Sequence, residues 1–190
     1  MLSPTVVMDG FATEYMYINC LGDYTADCVD SDPNSFAELH GEAFLIHHGP
    51  LGKLQEPPAG ANTLAIEGGG AEPGFDPRED FLVFPVKHRG GRSPNIDPIW
   101  VGREEKNDVV IPDASVSSVH AYFVVNKQGV YTLQDLGSKN GSFIDNEPVP
   151  SKDDGPAVEL TSVCRIRFGS VTLTFLMAKD FFNLVNTFSA

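Results

Sequence analysis

From residue 81 to residue 177 the chain alternates short apolar, β-branched and aromatic runs with turn residues, and this spacing restricts the fold more than any other feature. The runs fall at 81–86, 99–101, 109–111, 121–125, 130–136, 142–145, 158–160, 165–168 and 171–177. Short strands at such even intervals predict an all-β chain, a β-sandwich of about nine to eleven strands. The turns support it. Asn126, Lys127, Gln128 and Gly129 predict one hairpin loop, Asp145 and Asn146 the tight turn of another, and Gly169 with Ser170 separates the last two strands.

The flanks read differently. Phe181, Leu184, Val185 and Phe188 recur at i, i+3, i+4 and i+7, with Asp180 as cap. That spacing predicts a short C-terminal helix over 179–190 whose apolar stripe packs on the sandwich. In the first 80 residues Ser35, Phe36, Ala37 and Glu38 have the capping-box form, so a brief helix opens there and Gly41 ends it. Ala43, Phe44, Leu45 and Ile46 read as a strand or buried turn. Residues 55–61 and 68–77, rich in proline and glycine, read as loops or linkers. Phe11, Tyr15, Tyr17, Ile18, Phe36 and Phe44 are more apolar surface than a disordered tail usually carries, so residues 1–80 are expected to be an ordered extension of mixed short elements. The expected divisions are 1–80, 81–178 and 179–190.

Charge narrows the partners. The formal net charge is −13, and it is unevenly spread. Residues 1–80 hold 14 acidic and two basic residues, whereas 81–178 hold 11 and 10, so the predicted sandwich is close to neutral. Without clustered Lys and Arg, a nucleic-acid partner is not expected. The amino terminus lacks the basic and apolar regions of a signal peptide, and no run approaches the ~18 apolar residues of a membrane span. A cytoplasmic protein without membrane insertion is therefore expected. Cys20, Cys28 and Cys164 are an odd number at wide spacing, which predicts free thiols rather than disulfides or a zinc site.

The loops between the central strands carry a donor-rich set: Gly102 and Arg103, then Ser117, Ser118 and His120, then Ser138, Lys139, Asn140 and Gly141. A guanidinium, hydroxyls, an ammonium and an amide brought together suit a phosphate better than they suit catalysis. A serine three residues before a histidine does not make a nucleophile and its base, and no phosphate-binding glycine loop, zinc-protease motif or nucleophile elbow is present. A binder is expected, with no catalytic residues, no metal and no cofactor.

In their order between strands, the Gly-Arg, Ser-x-x-His and Asn-Gly elements resemble those of the forkhead-associated domain, a phosphothreonine-binding β-sandwich and one of the recognised Arg-based readers of phosphorylated motifs. The resemblance extends over about residues 81–178. It implies that Arg103 sends its guanidinium to the phosphate, that the Ser117 hydroxyl donates to it, and that Asn140 holds the ligand backbone. Gly102, His120 and Gly141 would then support the site. Two positions depart from the commonest pattern: Ser118 stands where Arg or Asn is frequent, and Lys139 where a Thr often touches the phosphate. Both remain candidate phosphopeptide contacts, with Lys139 adding charge beside the dianion. Selection three residues beyond the phosphothreonine would fall to loops 104–108 and 112–116.

The resemblance implies an adaptor in Ser/Thr kinase signalling, of the kind found in small bacterial signalling proteins, that binds a phosphothreonine-containing kinase or its substrate. The alternatives on the same fold are a phospho-independent scaffold or oligomerisation module, and a self-inhibited adaptor. In the latter, the acidic segment 1–34, with Thr13 and Thr25 among acids, covers Arg103 and Lys139.

Overall fold

A computed structural model describes residues 5–6, 17–29, 31–48, 76–89 and 97–188. In chain order the elements are β1 (Thr5–Val6), β2 (Tyr17–Cys20), a 3-10 turn over Leu21–Tyr24, α1 (Thr25–Val29), α2 (Pro33–His40), β3 (Ala43–His48), α3 (Pro77–Asp80) and β4 (Phe81–Pro85). The central part follows with β5 (Ile99–Gly102), β6 (Val109–Val110), β7 (Ala121–Val125), β8 (Tyr131–Asp135), β9 (Ser142–Ile144) and β10 (Glu147–Pro148). Finally come β11 (Val158–Glu159), β12 (Val163–Phe168), β13 (Val171–Met177) and α4 (Ala178–Phe188).

The strands form two sheets. One runs β1-β2-β4-β3-β13-β12-β9-β10 and the other β11-β8-β7-β5-β6, with every pairing antiparallel except β5 with β6. Their facing sides make the main core, where Leu45, Phe84, Phe123, Ile166, Phe168 and Phe175 interdigitate. This is the β-sandwich expected from strand spacing, with β7 and β13 at the predicted bounds.

The larger sheet carries a second core on its outer side. Phe44, Ile46, Val83 and Leu176 point there and meet Leu21, Tyr24 and Phe36 from the front segment and Phe181 and Val185 of α4. Phe44 stacks on Phe181 with centroids 4.1 Å apart, and Tyr24 meets Phe181 edge-on at 5.1 Å. Successive strand side chains point to opposite faces, so β3 feeds both cores in turn: Ala43 and Leu45 inward, Phe44 and Ile46 outward. That is why Ala43, Phe44, Leu45 and Ile46 form an unbroken apolar run rather than an alternating one. β3 lies between β4 and β13, so the larger sheet draws strands from both sides of residue 80.

Local signals held with small shifts. Helix α2 ends at Gly41, whose φ of 117° suits glycine, but it begins a turn before Ser35. Asp32 is the cap, accepting from the Asn34 and Ser35 N–H groups, and Pro33 pre-sets the first helical turn. Helix α4 leaves β13 directly at Ala178, so Asp180 sits in its first turn and accepts from the Ser162 hydroxyl instead of capping it. Asp145 (φ 49°) and Asn146 (φ 74°) form the two-residue turn joining β9 to β10, a conformation in which both central residues are left-handed. Valine at 146 would meet the Cβ penalty of that region. Asn146→Val is expected to lower unfolding free energy by about 1–2 kcal/mol, read as a lower urea midpoint at constant slope.

The expected loop 55–61 and residues 68–75 of the expected loop 68–77, together with Phe11, Thr13 and Tyr15, lie outside the described residues; the last residue of that loop, Pro77, instead opens α3, with the Asp76 carboxylate as its cap. Among the described residues no helix is long and apolar enough to cross a membrane.

Candidate functional site

The loops at one end of the smaller sheet bring the sequence-predicted residues together. Gly102 ends β5 where the chain passes under the β6–β7 loop. A Cβ there would lie 2.4 Å from the Ser118 carbonyl oxygen and 2.8 Å from Asn107 Nδ2, so only glycine permits the crossing. The next residue is thereby delivered to the surface beside that loop. The Arg103 N–H donates to the Ser117 carbonyl (2.9 Å) and its Nε to that of Val116 (3.3 Å). Arg103 is exposed, and no carboxylate of the described residues lies within ion-pair distance of it. Its neighbour Glu104 is engaged elsewhere. Lys106 Nζ sits 2.6 Å away, and hydrogen bonds from Lys106 and the Ser118 hydroxyl hold that carboxyl below its usual range, with a smaller contribution from Arg103's charge.

Ser117 is bonded on three sides. Its carbonyl holds Arg103, its N–H donates to His120 Nδ1 (3.0 Å), and its Oγ accepts the Lys139 N–H (3.1 Å). With that lone pair occupied, Oγ retains its own proton as a donor. Ser118 faces the other way: its carbonyl accepts from Asn107 Nδ2 (2.7 Å) and its hydroxyl serves Glu104. Asn140 is exposed, and its Nδ2 donates to the Ser115 carbonyl at 2.7 Å. The amide oxygen is thereby set as an acceptor. Gly141, at φ 77°, has its α-carbon against the Phe143 ring, where a Cβ would come within 3.1 Å.

His120 is fully buried beneath these loops. Its Nδ1 faces the Ser117 N–H and its Nε2 faces the Gly141 carbonyl at 3.2 Å, so the partners assign a neutral ring with the proton on Nε2. A second proton would set two N–H groups against each other. Burial lowers the His120 pKa below its ordinary value, outweighing the opposite pull of the Gly141 carbonyl and Asp135. In the unfolded chain the ring takes a proton near pH 6.5, whereas the folded protein resists it. The contribution to stability is therefore complete above about pH 6.5 and is lost as pH falls from there toward the folded pKa. Thermal melts are expected to show this acid loss in the native chain and its reduction in His120→Gln. An equal slope in both proteins would count against it.

Two supporting groups escape a motif-based reading. Asp135, at the end of β8, is buried and accepts from the Ser138 N–H (2.9 Å), the Ser138 hydroxyl (2.7 Å) and the Ser142 hydroxyl (2.6 Å). Burial would push this carboxyl up, but those hydrogen bonds and His120 outweigh burial and hold it below the usual carboxylate range. Asp135 thus fastens the loop carrying Lys139 and Asn140. Asn107, 2% exposed, does the same for the Arg103 loop by donating to the carbonyls of Glu104 and Ser118. Both had a sequence signal, an Asx residue opening a turn, though nothing in the string separates it from an ordinary turn.

Burial pushes the Cys164 thiol up to about 12 and the Cys28 thiol up to about 11, and all three cysteines are unpaired. Among the described residues no group of three or more His, Cys, Asp or Glu could hold a metal ion.

Residues 99–169, from β5 to the β12–β13 turn, match the family model described as FHA domain. An oxoglutarate dehydrogenase inhibitor of Corynebacterium efficiens is 33% identical over 75 residues, covering 40% of this chain and 48% of that protein. The Corynebacterium glutamicum protein of the same name is 38% identical over 47 residues, covering 25% of this chain and 32% of that protein. The chain thus spans less than half the length of the curated relatives it matches. Among solved structures, Mycobacterium tuberculosis EmbR in complex with a low-affinity phosphopeptide is 32% identical, with a TM-score of 0.37, over 42% of this chain and 20% of that one.

Proposed function

We propose that this chain, which carries a forkhead-associated domain over residues 99–169, is a phosphothreonine-dependent binding protein acting in Ser/Thr kinase signalling. The observation that carries the reading is the state of Arg103. Its guanidinium is anchored by a backbone carbonyl and has no carboxylate of the described residues within ion-pair distance, in a chain with twice as many acidic as basic residues. A planar fork held this way gives paired, charge-assisted hydrogen bonds to a phosphate. Beside it Ser117 Oγ, which accepts the Lys139 N–H, has a proton to donate to a ligand, Lys139 adds positive charge, and the Asn140 oxygen is set to accept an N–H from an extended ligand backbone. Ser118 serves the loop through Glu104 and Asn107, so we assign it to supporting the Arg103 loop more than to the ligand.

The relatives named oxoglutarate dehydrogenase inhibitor support a regulatory role as the outcome of binding for this chain. The scaffold alternative uses the same sandwich without phosphate. The two separate in one experiment: the full-length protein is offered a degenerate phosphothreonine peptide library and its unphosphorylated counterpart. Capture of the phosphorylated pool alone supports the adaptor. Equal capture of both pools, or of neither, sinks it.

A further inference from the structure

On the far side of the Asn140 loop lies a second guanidinium in the same condition as Arg103. Arg167, on the outer face of β12, is half-buried, and its CZ lies 3.6 Å from the centroid of the Phe143 ring. Its Nη1 donates to the Gly169 carbonyl at 2.6 Å. Ring and carbonyl fix the plane of the fork at one edge. No carboxylate of the described residues is within ion-pair distance, although acidic residues outnumber basic ones two to one along the chain. Structural arginines in acidic proteins ordinarily find a carboxylate. One fixed by an aromatic ring and a carbonyl instead keeps its remaining donors for an anion from outside.

Arg167 is joined to the phosphate site by a short series of contacts. The Gly169 N–H donates to the Gly141 carbonyl, which also accepts from His120. The Ser170 N–H and hydroxyl both reach Ser115 Oγ, at 3.0 and 2.8 Å, and the Ser115 carbonyl holds the Asn140 amide. Phe143, which supports Arg167, also underlies Gly141. The surface between Asn140 and Arg167 is therefore one continuous rim made of Ser115, Ser170 and Phe143.

We propose that Arg167 is a second anion-recognising position, which takes an acidic side chain of the same phosphopeptide that Arg103 holds by its phosphate. The occupant is an Asp or Glu of the ligand lying along the Ser115–Ser170 rim. Selection for that acid would come from Arg167 on the outer face of the larger sheet, with Ser115 of the 112–116 loop forming only the rim beside it. The inference rests on the phosphothreonine reading of Arg103.

The test measures affinities of the full-length protein for phosphothreonine peptides scanned at each flanking position with Glu or Gln. The wild type is expected to prefer Glu at one position by about five- to tenfold, with that preference steepened at low salt. In Arg167→Gln the Glu and Gln peptides should bind alike, at the wild-type affinity for the Gln peptide. Arg167→Lys, which retains the charge and loses the fork, should keep part of the preference and separates recognition from folding. No Glu preference at any position in the wild type overturns the proposal, as does its survival in Arg167→Gln. An equal loss for Glu and Gln peptides makes Arg167 only a brace for the Gly169 turn, also against the proposal. Absence of binding to every phosphothreonine peptide is a different result, and sinks the reading of Arg103 itself.

Discussion

Replacing Arg103 with alanine is expected to weaken phosphothreonine-peptide binding by about 30-fold or more, because truncating one member of a hydrogen-bonded charge pair typically costs about 2–5 kcal/mol. Folding should be spared, since among the described residues the side chain makes one long hydrogen bond, from Nε to the Val116 carbonyl at 3.3 Å, and the residue is exposed. Arg103→Lys keeps the charge without the planar fork and is expected to recover only part of the affinity. Titration calorimetry with phosphorylated and plain peptides reads the effect. An unchanged dissociation constant in Arg103→Ala, with the melting curve intact, would remove the phosphate from the account of this site.

The second large effect is expected at Asp135. Alanine there deletes an acceptor used by two hydroxyls and an N–H, and strands the Ser142 hydroxyl, which is 1% exposed. Hydrogen bonds to a charged group contribute about 1.5–3 kcal/mol each and an unsatisfied buried donor costs about 1–3 kcal/mol, so with Ser142 stranded and Ser138 released Asp135→Ala is expected to lose about 3 kcal/mol of stability. Because the same carboxylate ties the Lys139–Asn140 loop, phosphopeptide affinity should fall too, with no contact to the ligand. The native chain should also lose the Asp135 contribution in acid. The folded carboxyl titrates below its unfolded value, so that stability is present above about pH 4 and disappears as pH falls through the folded pKa. Urea midpoints measured from pH 7 down to pH 3 on native and Asp135→Ala proteins should converge at the acid end. Parallel curves would place the acid sensitivity elsewhere.

How far such effects could be anticipated without coordinates depends on the range of the interaction involved. Strand alternation and turn chemistry are local, so β7, β13 and the Asp145–Asn146 turn are legible residue by residue. Arg103, Ser117, His120 and Asn140 are legible because each stands in a short ordered string, and the structure gathers the four around one loop cluster. What the string does not carry is the partner across space. Nothing adjacent to Asp135 says that Ser142 will turn back to it, and nothing near Asn107 announces Ser118. The capping-box pattern at Ser35 lost to Asp32 because a carboxylate before Pro33 caps one turn earlier. The apolar run from Ala43 to Ile46 left strand and buried turn open, since its continuous burial comes from two cores made by residues far apart in sequence. Thr25, considered as a covering phosphosite, has its hydroxyl on the Gly22 carbonyl at 2.8 Å within the second core's framework. Thr13→Ala is therefore a cleaner probe of self-inhibition than removal of 1–34, which would strip Leu21 and Tyr24 from packed positions.

The position of β3 bears on how this protein can be divided. A fragment beginning near residue 78 would retain every residue of the proposed phosphate site yet lack the strand that joins β13 to β4. β13 would become an open edge and β4, which also loses β2, would have no strand partner, so rows of unpaired N–H and C=O groups would stand beside bare Phe81, Val83 and Leu176. Such edges recruit strands from neighbouring molecules, so a shortened protein would tend to self-associate even with its ligand-binding loops correctly folded. A fold that recruits its middle strand from the front of the chain has made recognition and solubility properties of the same sheet.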